Sequence, residues 1–476
     1  MAGMARFAQI AAELKIADPA EINALRERLS LLARQIFKLH SRKQEWRLGF
    51  TAHIPHPTSC YPKKRSRMRI RSVQAHLLSY PLPDPLKVTY HGGERTIVKR
   101  DTMLIRVEAD NGLIGYGPAP GNEPAKAAID RVIAPFLAGR TLADPDALRV
   151  HFVEETGRDP ALQKLYCAVE IALYDLVGKE HGLPISELLG GRVRDRIRLY
   201  ASAGMQTTPE KHAEEAHGVS QLGFRAYKMH SGIGPDNDIE AIRLMREAVG
   251  PDFDLIVDAH TWWQAGDLNY LEATIDKLAE QLGEYNIAWL EEPLPADHHD
   301  GYRRLKELDL VALASGVHEP DEPSFLDLIF AGVDYLQLDL VSQGGYATAR
   351  RMLGEVSRAG LKFAFHNWGT ALEVIAAAHL GVCWPDQVVE WLEYPCYSTP
   401  SRASMYPYPL AAEVLKEPLQ LDHGDLILPK GPGLGVEVDE GIIERYPWIP
   451  GPWSVIYTDS KPPGSMRSRG ANRQAS

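Results

Sequence analysis

The chain is short of several things, and each shortage removes a class of function. It has only four cysteines, Cys60, Cys167, Cys383 and Cys396, in 476 residues. They are far apart and lack the spacing of a zinc cluster, so they read as reduced thiols of a cytoplasmic protein. No apolar run approaches the roughly 20 residues that a membrane-crossing helix needs. The first residues interleave Glu13, Lys15 and Asp18 with apolar ones, which argues against a secretory signal. Basic excess is missing too. The formal net charge is −11, which disfavours nucleic acid or an anionic membrane as partner and suits a cation cofactor. The basic run KKRSR at 63–67 is expected to be a solvated linker. No glycine-rich phosphate loop follows an early strand, which weighs against a doubly wound dinucleotide fold.

What is present is ordinary in bulk and specific in pattern. Hydrophobic residues make up 45% and charged residues 24%, as in soluble globular proteins. The length implies two domains or a barrel with additions. Residues 1–67 stand apart as an N-terminal extension, with an amphipathic helix expected over 19–43 and a Pro- and Lys/Arg-rich link over 56–67. From Met68 the pattern is β-rich. MRIRSVQAHLL alternates, and Asn111-Gly112 marks a hairpin inside DTMLIRVEADNGLIGYG. Helices are expected over about 123–190. Between about 196 and 394, eight short apolar runs alternate with helix-period segments, the rhythm of a (β/α) barrel. The Gly/Pro-rich LPKGPGLGVEV lies at 428–438. The composition of the tail predicts disorder over 456–476.

Barrel strands carry chemistry at their C-terminal ends. Polar residues finish six of these runs: Lys228 and His230, Asp258 and His260, Glu291 and Glu292, Asp339, His366 and Asn367, and Glu393. Side chains two apart on a strand share a face. Lys228 and His230 therefore face inward together, as do Asp258 and His260, while Glu292 is expected to turn away from Glu291. Asp258 and Glu291 on neighbouring strands suit a hard cation such as Mg²⁺.

These residues, with AVEIALYDLVGKEHGLPISELLGG (168–191), VDAH, WLEEP, LQLDLVSQGG, FHNWGTALEVIAAAHL and PKGPGLGVEV in order, resemble the enolase superfamily. The likeness is to its mandelate racemase/muconate lactonizing enzyme family, including the acid-sugar dehydratases. The resemblance implies an α+β capping domain over a (β/α)7β TIM-type barrel. The cap would span 68–190 and return at 401–455, with the barrel at 191–400. It implies Mg²⁺-assisted removal of a proton α to a carboxylate, and a symmetric homo-oligomer. Asp258 and Glu291 match the first two metal ligands, and Asp339 and His366 match an Asp–His dyad. Glu393 and Lys228 match groups that hold the substrate carboxylate. His230 stands where many relatives have a second lysine, which disfavours a two-base racemase. His260 matches the group that protonates a departing 3-hydroxyl.

The expected reaction is dehydration of a sugar acid, an aldonate or aldarate, to a 2-keto-3-deoxy acid. Racemisation or epimerisation of a 2-hydroxy acid is the alternative, and a non-catalytic binding protein with a degenerate metal site is a third. The third reading is motivated by Val317, which occupies the position of the family's third metal ligand in LASGVHEPDE. If the strand continued, Glu319 would reach the cation from the same side and His318 would point the other way. Two cap segments, 87–99 and 116–124, are expected to set specificity, with Tyr90 and His91 as candidate substrate contacts.

Overall fold

The eight apolar runs form a closed parallel barrel. In a computed structural model that describes residues 68–89, 94–264, 266–399, 405–458 and 461–465, the barrel strands are β4 (Arg196–Gly204), β5 (Ala226–His230), β6 (Asp254–Asp258), β7 (Trp289–Glu291), β8 (Leu313–Ser315), β9 (Tyr335–Asp339), β10 (Lys362–His366) and β11 (Val389–Pro395). Each pairs in parallel with the next, and β11 returns to β4 to close the ring. The expected 1–67 extension, Tyr90 and His91 lie outside the described residues.

Before the barrel come β1 (Ile70–Thr89), β2 (Glu94–Ala109) and β3 (Ile114–Pro120), an antiparallel sheet. The Asn111-Gly112 turn joins β2 to β3, with Asn111 Oδ1 accepting from the Leu113 amide at 3.1 Å. Helix α1 (Pro160–His181) begins at Asp159, whose side chain accepts from the Ala161 and Leu162 amides. Its apolar middle is buried against β3. A Cβ on Gly117 would lie 2.6 Å from the Ala168 carbonyl oxygen, so only glycine allows this approach.

Helices α2 (Pro209–Gln221), α3 (Pro235–Val249), α4 (Glu272–Leu282), α5 (His299–Glu307), α6 (Glu322–Ala331), α7 (Gly345–Ala359) and α8 (Ala371–Gly381) occupy the crossovers of the barrel. Inside, each strand gives one residue to a buried layer. Around the ring, bulky Tyr200, Trp289, Tyr335 and Trp391 are interleaved with Ala226, Ile256, Ala314 and Ala364. Large beside small is what fills a tapered barrel interior without voids.

The C-terminal part serves both layers. β13 (Asp425–Ile427) pairs antiparallel with the start of β4, and β14 (Ser454–Thr458) pairs antiparallel with β2. β15 (Lys461–Ser465) then pairs with β14. Strands thus enter the region from 456 for which composition predicts disorder; residues 466–476 lie outside the described residues. Among the described residues no helix is long and apolar enough to cross a membrane.

Asp175 on α1 ties these parts together. It is fully buried, and its Oδ2 accepts from the Tyr116 amide on β3 at 2.9 Å and from Lys179 Nζ at 2.7 Å. Oδ1 accepts from the Leu434 amide, in the Gly/Pro-rich stretch, at 2.8 Å. Asp175→Ala would take the carboxylate acceptor from the Tyr116 and Leu434 amides and leave the Lys179 ammonium with the Ile114 carbonyl at 2.8 Å. The expected loss is about 2–4 kcal/mol, read as a lower midpoint in urea unfolding. An unchanged midpoint would mean that water replaces the carboxylate.

Candidate active site

The site is the next interior layer of the barrel. Two residues beyond Ala226, Ile256, Trp289, Ala364 and Trp391 stand Lys228, Asp258, Glu291, His366 and Glu393. The period of two along each strand brings them all inward at one level. Above them lies a cavity of about 280 Å³. Lys228, His230, Asp258, His260, Glu291 and His366 all line it.

Lys228 is the centre of the layer. It is 1% exposed, and its Nζ lies 2.6 Å from Glu291 Oε1, 2.8 Å from Glu393 Oε1 and 3.5 Å from Asp258 Oδ2. Burial alone would lower its pKa, but Glu291 and Glu393 outweigh burial and hold the ammonium charged. One cation cannot neutralise three buried carboxylates. Burial pushes Glu291 up to about 7, with Asp258 and Glu393 adding to the rise against Lys228. Burial also acts upward on Glu393 and Asp258. In Glu393 it is overcome by Lys228 and His366, which bring the carboxyl down to about 2. In Asp258 the imidazoles of His260 and His230 overcome it, and the carboxyl falls well below its usual range.

Glu393 is fully buried and lies beneath the cavity rather than in its wall. Its Oε1 accepts from Trp368 Nε1 at 2.9 Å and its Oε2 from the Asn367 amide at 3.1 Å. It holds Lys228 and His366 in place from below.

The Asp339–His366 pair spans neighbouring strands. His366 Nδ1 is 2.9 Å from Asp339 Oδ2, and Nε2 is 3.7 Å from Glu393 Oε2. The other oxygen of Asp339 accepts from the Val341 and Ser342 amides and from Ser342 Oγ, which locks the carboxylate. Burial would lower the His366 pKa; Glu393 and Asp339 overcome it and raise the ring to about 9. His260 Nδ1 is hydrogen-bonded to Asp258 Oδ1, and that carboxylate holds the ring's pKa up against burial. His230 behaves differently. Burial takes its pKa down to about 4; Nδ1 lies 3.4 Å from Asp258 Oδ2, and neither ring nitrogen has a hydrogen-bond partner among the described residues.

The strand alternation fails where the strands stop, and the expectations for Glu292, His318 and Glu319 need correction. Glu292 follows the last residue of β7 with φ +42°, a left-handed turn that ends the pleat. It therefore lines the cavity instead of turning away, and its carboxylate binds His318 Nδ1. β8 ends at Ser315, and Gly316 has φ +142°. A Cβ there would lie 2.1 Å from the Gln337 carbonyl oxygen, so the turn requires glycine. The chain then curls, with the Glu319 amide donating to the Gly316 carbonyl at 3.0 Å. Val317 and His318 consequently reach the cavity, while Glu319 is buried outside its lining, 3.0 Å from His299 Nε2. Glu319 is therefore not placed to serve as the third ligand that strand alternation suggests.

Cap residues complete the wall. The 87–99 segment contributes Arg95 and Ile97, followed by Arg100. The 116–124 segment is the end of β3 and a helix start, and none of it lines the cavity. Met205, Trp368, Trp453 and Arg100 escape the sequence reading. Of these, Met205 directly follows β4 and Trp368 lies two residues after His366, so both sit at strand ends.

Two family models match the chain. One, for the N-terminal domain of mandelate racemase/muconate lactonizing enzymes, covers residues 77–190; the other, described as enolase C-terminal domain-like, covers 211–442. The chain is 27% identical over 393 residues to the D-galactarolactone cycloisomerase of Agrobacterium fabrum, spanning 80% of this chain and 99% of that protein. It is 29% identical over 367 residues to the L-rhamnonate dehydratase of Saccharopolyspora erythraea, spanning 73% and 85%. Among solved structures, the 3,6-anhydro-D-galactonate cycloisomerase of Zobellia galactanivorans aligns with a TM-score of 0.67 at 28% identity, covering 79% of this chain and 99% of that one. An enolase superfamily member from Polaromonas sp. JS666 aligns with a TM-score of 0.69 at 29% identity, covering 81% and 99%.

The donors can be weighed against Mg²⁺, which takes oxygen ligands and keeps several waters. Asp258 and Glu291 supply carboxylates on adjacent strands, both within 3.5 Å of the same lysine nitrogen. Val317 supplies nothing. Ligand atoms of His230, Asp258 and His260 lie within 4.8 Å of one another, and the Glu292 carboxylate in the same wall is taken up by His318 Nδ1. The set fits a divalent cation with two carboxylate ligands and water. It fits Mg²⁺ less tightly than three carboxylates would. Val317→Glu is expected to tighten Mg²⁺ binding by about tenfold, measured by calorimetry. Unchanged affinity would show that another donor already fills the position.

Proposed function

The chain belongs to the mandelate racemase/muconate lactonizing enzyme family of the enolase superfamily, and from that premise we propose that it is a lyase that dehydrates a sugar acid. The substrate is an aldonate or aldarate, and the product a 2-keto-3-deoxy acid. The observation that carries this reading is that His366, paired with Asp339, and His260, paired with Asp258, line one cavity. A β-elimination needs a base at C2 and an acid at C3.

The proposed sequence uses these groups in turn. Lys228 steadies the substrate carboxylate. His366 in its neutral form takes the C2 proton, and Asp339 holds the ring and stabilises the imidazolium. His260 gives a proton to the 3-hydroxyl, which leaves as water. The C2–H and C3–O bonds break, a C2–C3 double bond forms, and the enol product becomes the 2-keto acid. Asp258 and Glu291 would hold Mg²⁺, which when bound offsets charge developing on the substrate carboxylate.

A ring oxygen at the β-position can leave in place of a hydroxyl. Cycloisomerisation is therefore the second reading, supported by the two cycloisomerases among the similar proteins. A two-base racemase is less well served, because His230 is a weak base where a second lysine would stand.

Incubation of the protein and Mg²⁺ with a sugar-acid library should give 2-keto-3-deoxy products. Absence of turnover, with the metal demonstrably bound, would count against the proposal. His260→Asn should cut dehydration by about 100-fold or more yet leave deuterium exchange at C2. Loss of exchange as well would remove His260 from its assigned role.

The dyad makes a separate prediction. His366 acts as a base only when deprotonated, so C2 exchange should rise as pH approaches about 9. Asp339 helps to raise that value. Asp339→Asn should move the rise to lower pH and lower its plateau, as recorded in a pH–rate profile. An unmoved profile would mean that His366 is not the base.

A further inference from the structure

The cavity has two positive poles of different character. Lys228, on the barrel floor, is already within 3.5 Å of three carboxylates. Arg100, on the cap strand β2, lines the same cavity, and among the described residues no carboxylate pairs with it. Its Nε and Nη2 are shielded from solvent and have no hydrogen-bond partner among the described residues. Shielded guanidinium nitrogens without acceptors are costly unless a ligand supplies them.

Arg100 is also held in position. Its guanidinium carbon stands 4.6 Å from the centre of the Tyr406 ring. Tyr406 packs edge-on against cavity-lining Trp368, with centroids 4.8 Å apart. A second guanidinium, that of the buried Arg95, lies 4.5 Å from the Trp453 ring and lines the cavity as well. Two arginines braced on aromatic rings present a planar, permanently charged surface, which is the geometry that carboxylates and phosphates favour.

We propose that Arg100, on the cavity wall to which Arg95 also contributes, receives a second anionic group of the substrate, so that the acid carries a carboxylate at each end. This rests on the sugar-acid reading above and narrows it from aldonate or aldarate to aldarate. One carboxylate lies over Lys228 beside the reacting carbon. The other reaches the cap. Between them, Ile97, Met205, Val317, Trp368 and Trp453 give the cavity apolar walls against which the carbon chain packs.

The test uses the full chain with Mg²⁺ and measures binding by calorimetry. Galactarate and glucarate are compared with galactonate and gluconate, which lack only the second carboxylate. The aldarates should bind about 10- to 100-fold more tightly, the worth of a charged hydrogen-bonded pair. Arg100→Met should remove that advantage and leave aldonate binding unchanged. Arg100→Lys, which keeps charge without the fork, should restore part of it. Equal binding of the two classes, loss of both together in Arg100→Met, or failure of any of these acids to bind would overturn the proposal. So would tight binding of 6-phosphogluconate alone, which would assign the arginines to a phosphate. Deuterium exchange and keto-acid formation are recorded in parallel. Selective aldarate binding without either would sink the dehydratase reading while the subsite stands.

Discussion

The Lys228 ammonium, buried among the carboxylates of Glu291, Glu393 and Asp258, is the interaction on which the site depends. No water is needed to explain why three acids are tolerated so deep in a barrel. The lysine offsets part of their charge, and indole and backbone N–H groups from Trp289, Trp368 and Asn367 take up lone pairs. The residual excess of negative charge is what a divalent cation would relieve. The same network sets His366 apart from His230. One ring faces Glu393 and Asp339 and is held basic, whereas the other is dominated by burial and stays neutral.

The barrel was legible because parallel strands buried on both faces leave apolar runs with little alternation. A period of two within the runs turned Lys228, His230, Asp258 and His260 inward, whereas His366 and Glu393 stood out through the family resemblance. That logic holds only while the chain stays extended. At Glu292 and at Gly316 the backbone leaves the pleat, and the faces of Glu292, His318 and Glu319 come out opposite to expectation. Nothing in the local pattern announces a positive φ at a glutamate.

The cap's contribution was hidden for a different reason. Arg95, Arg100 and Trp453 reach the cavity through docking of separate segments, and β14 pairs with β2 across some of the longest sequence separations in the fold. Short-range periodicity carries no information on such contacts. At the far end, the stretch from 456 has the composition of a free tail, and its described part holds the end of β14 and β15, which extend the sheet.

That pairing also bears on how the protein is made. Residues 95–97 of β2 pair with β1 on one side early in the chain, but on the other side they meet 454–456, so that edge stays open until nearly all of the described chain has been synthesised. The barrel strands, each joined to the next by a single helix, can assemble earlier because their contacts are local by comparison. During that interval a polar pit with a buried lysine would face solvent beside the unpaired edge of β2, a surface open to adventitious strand addition. Strand β14 therefore acts as a closing seam: it completes the sheet beside the cavity and covers that edge of β2 in the same step.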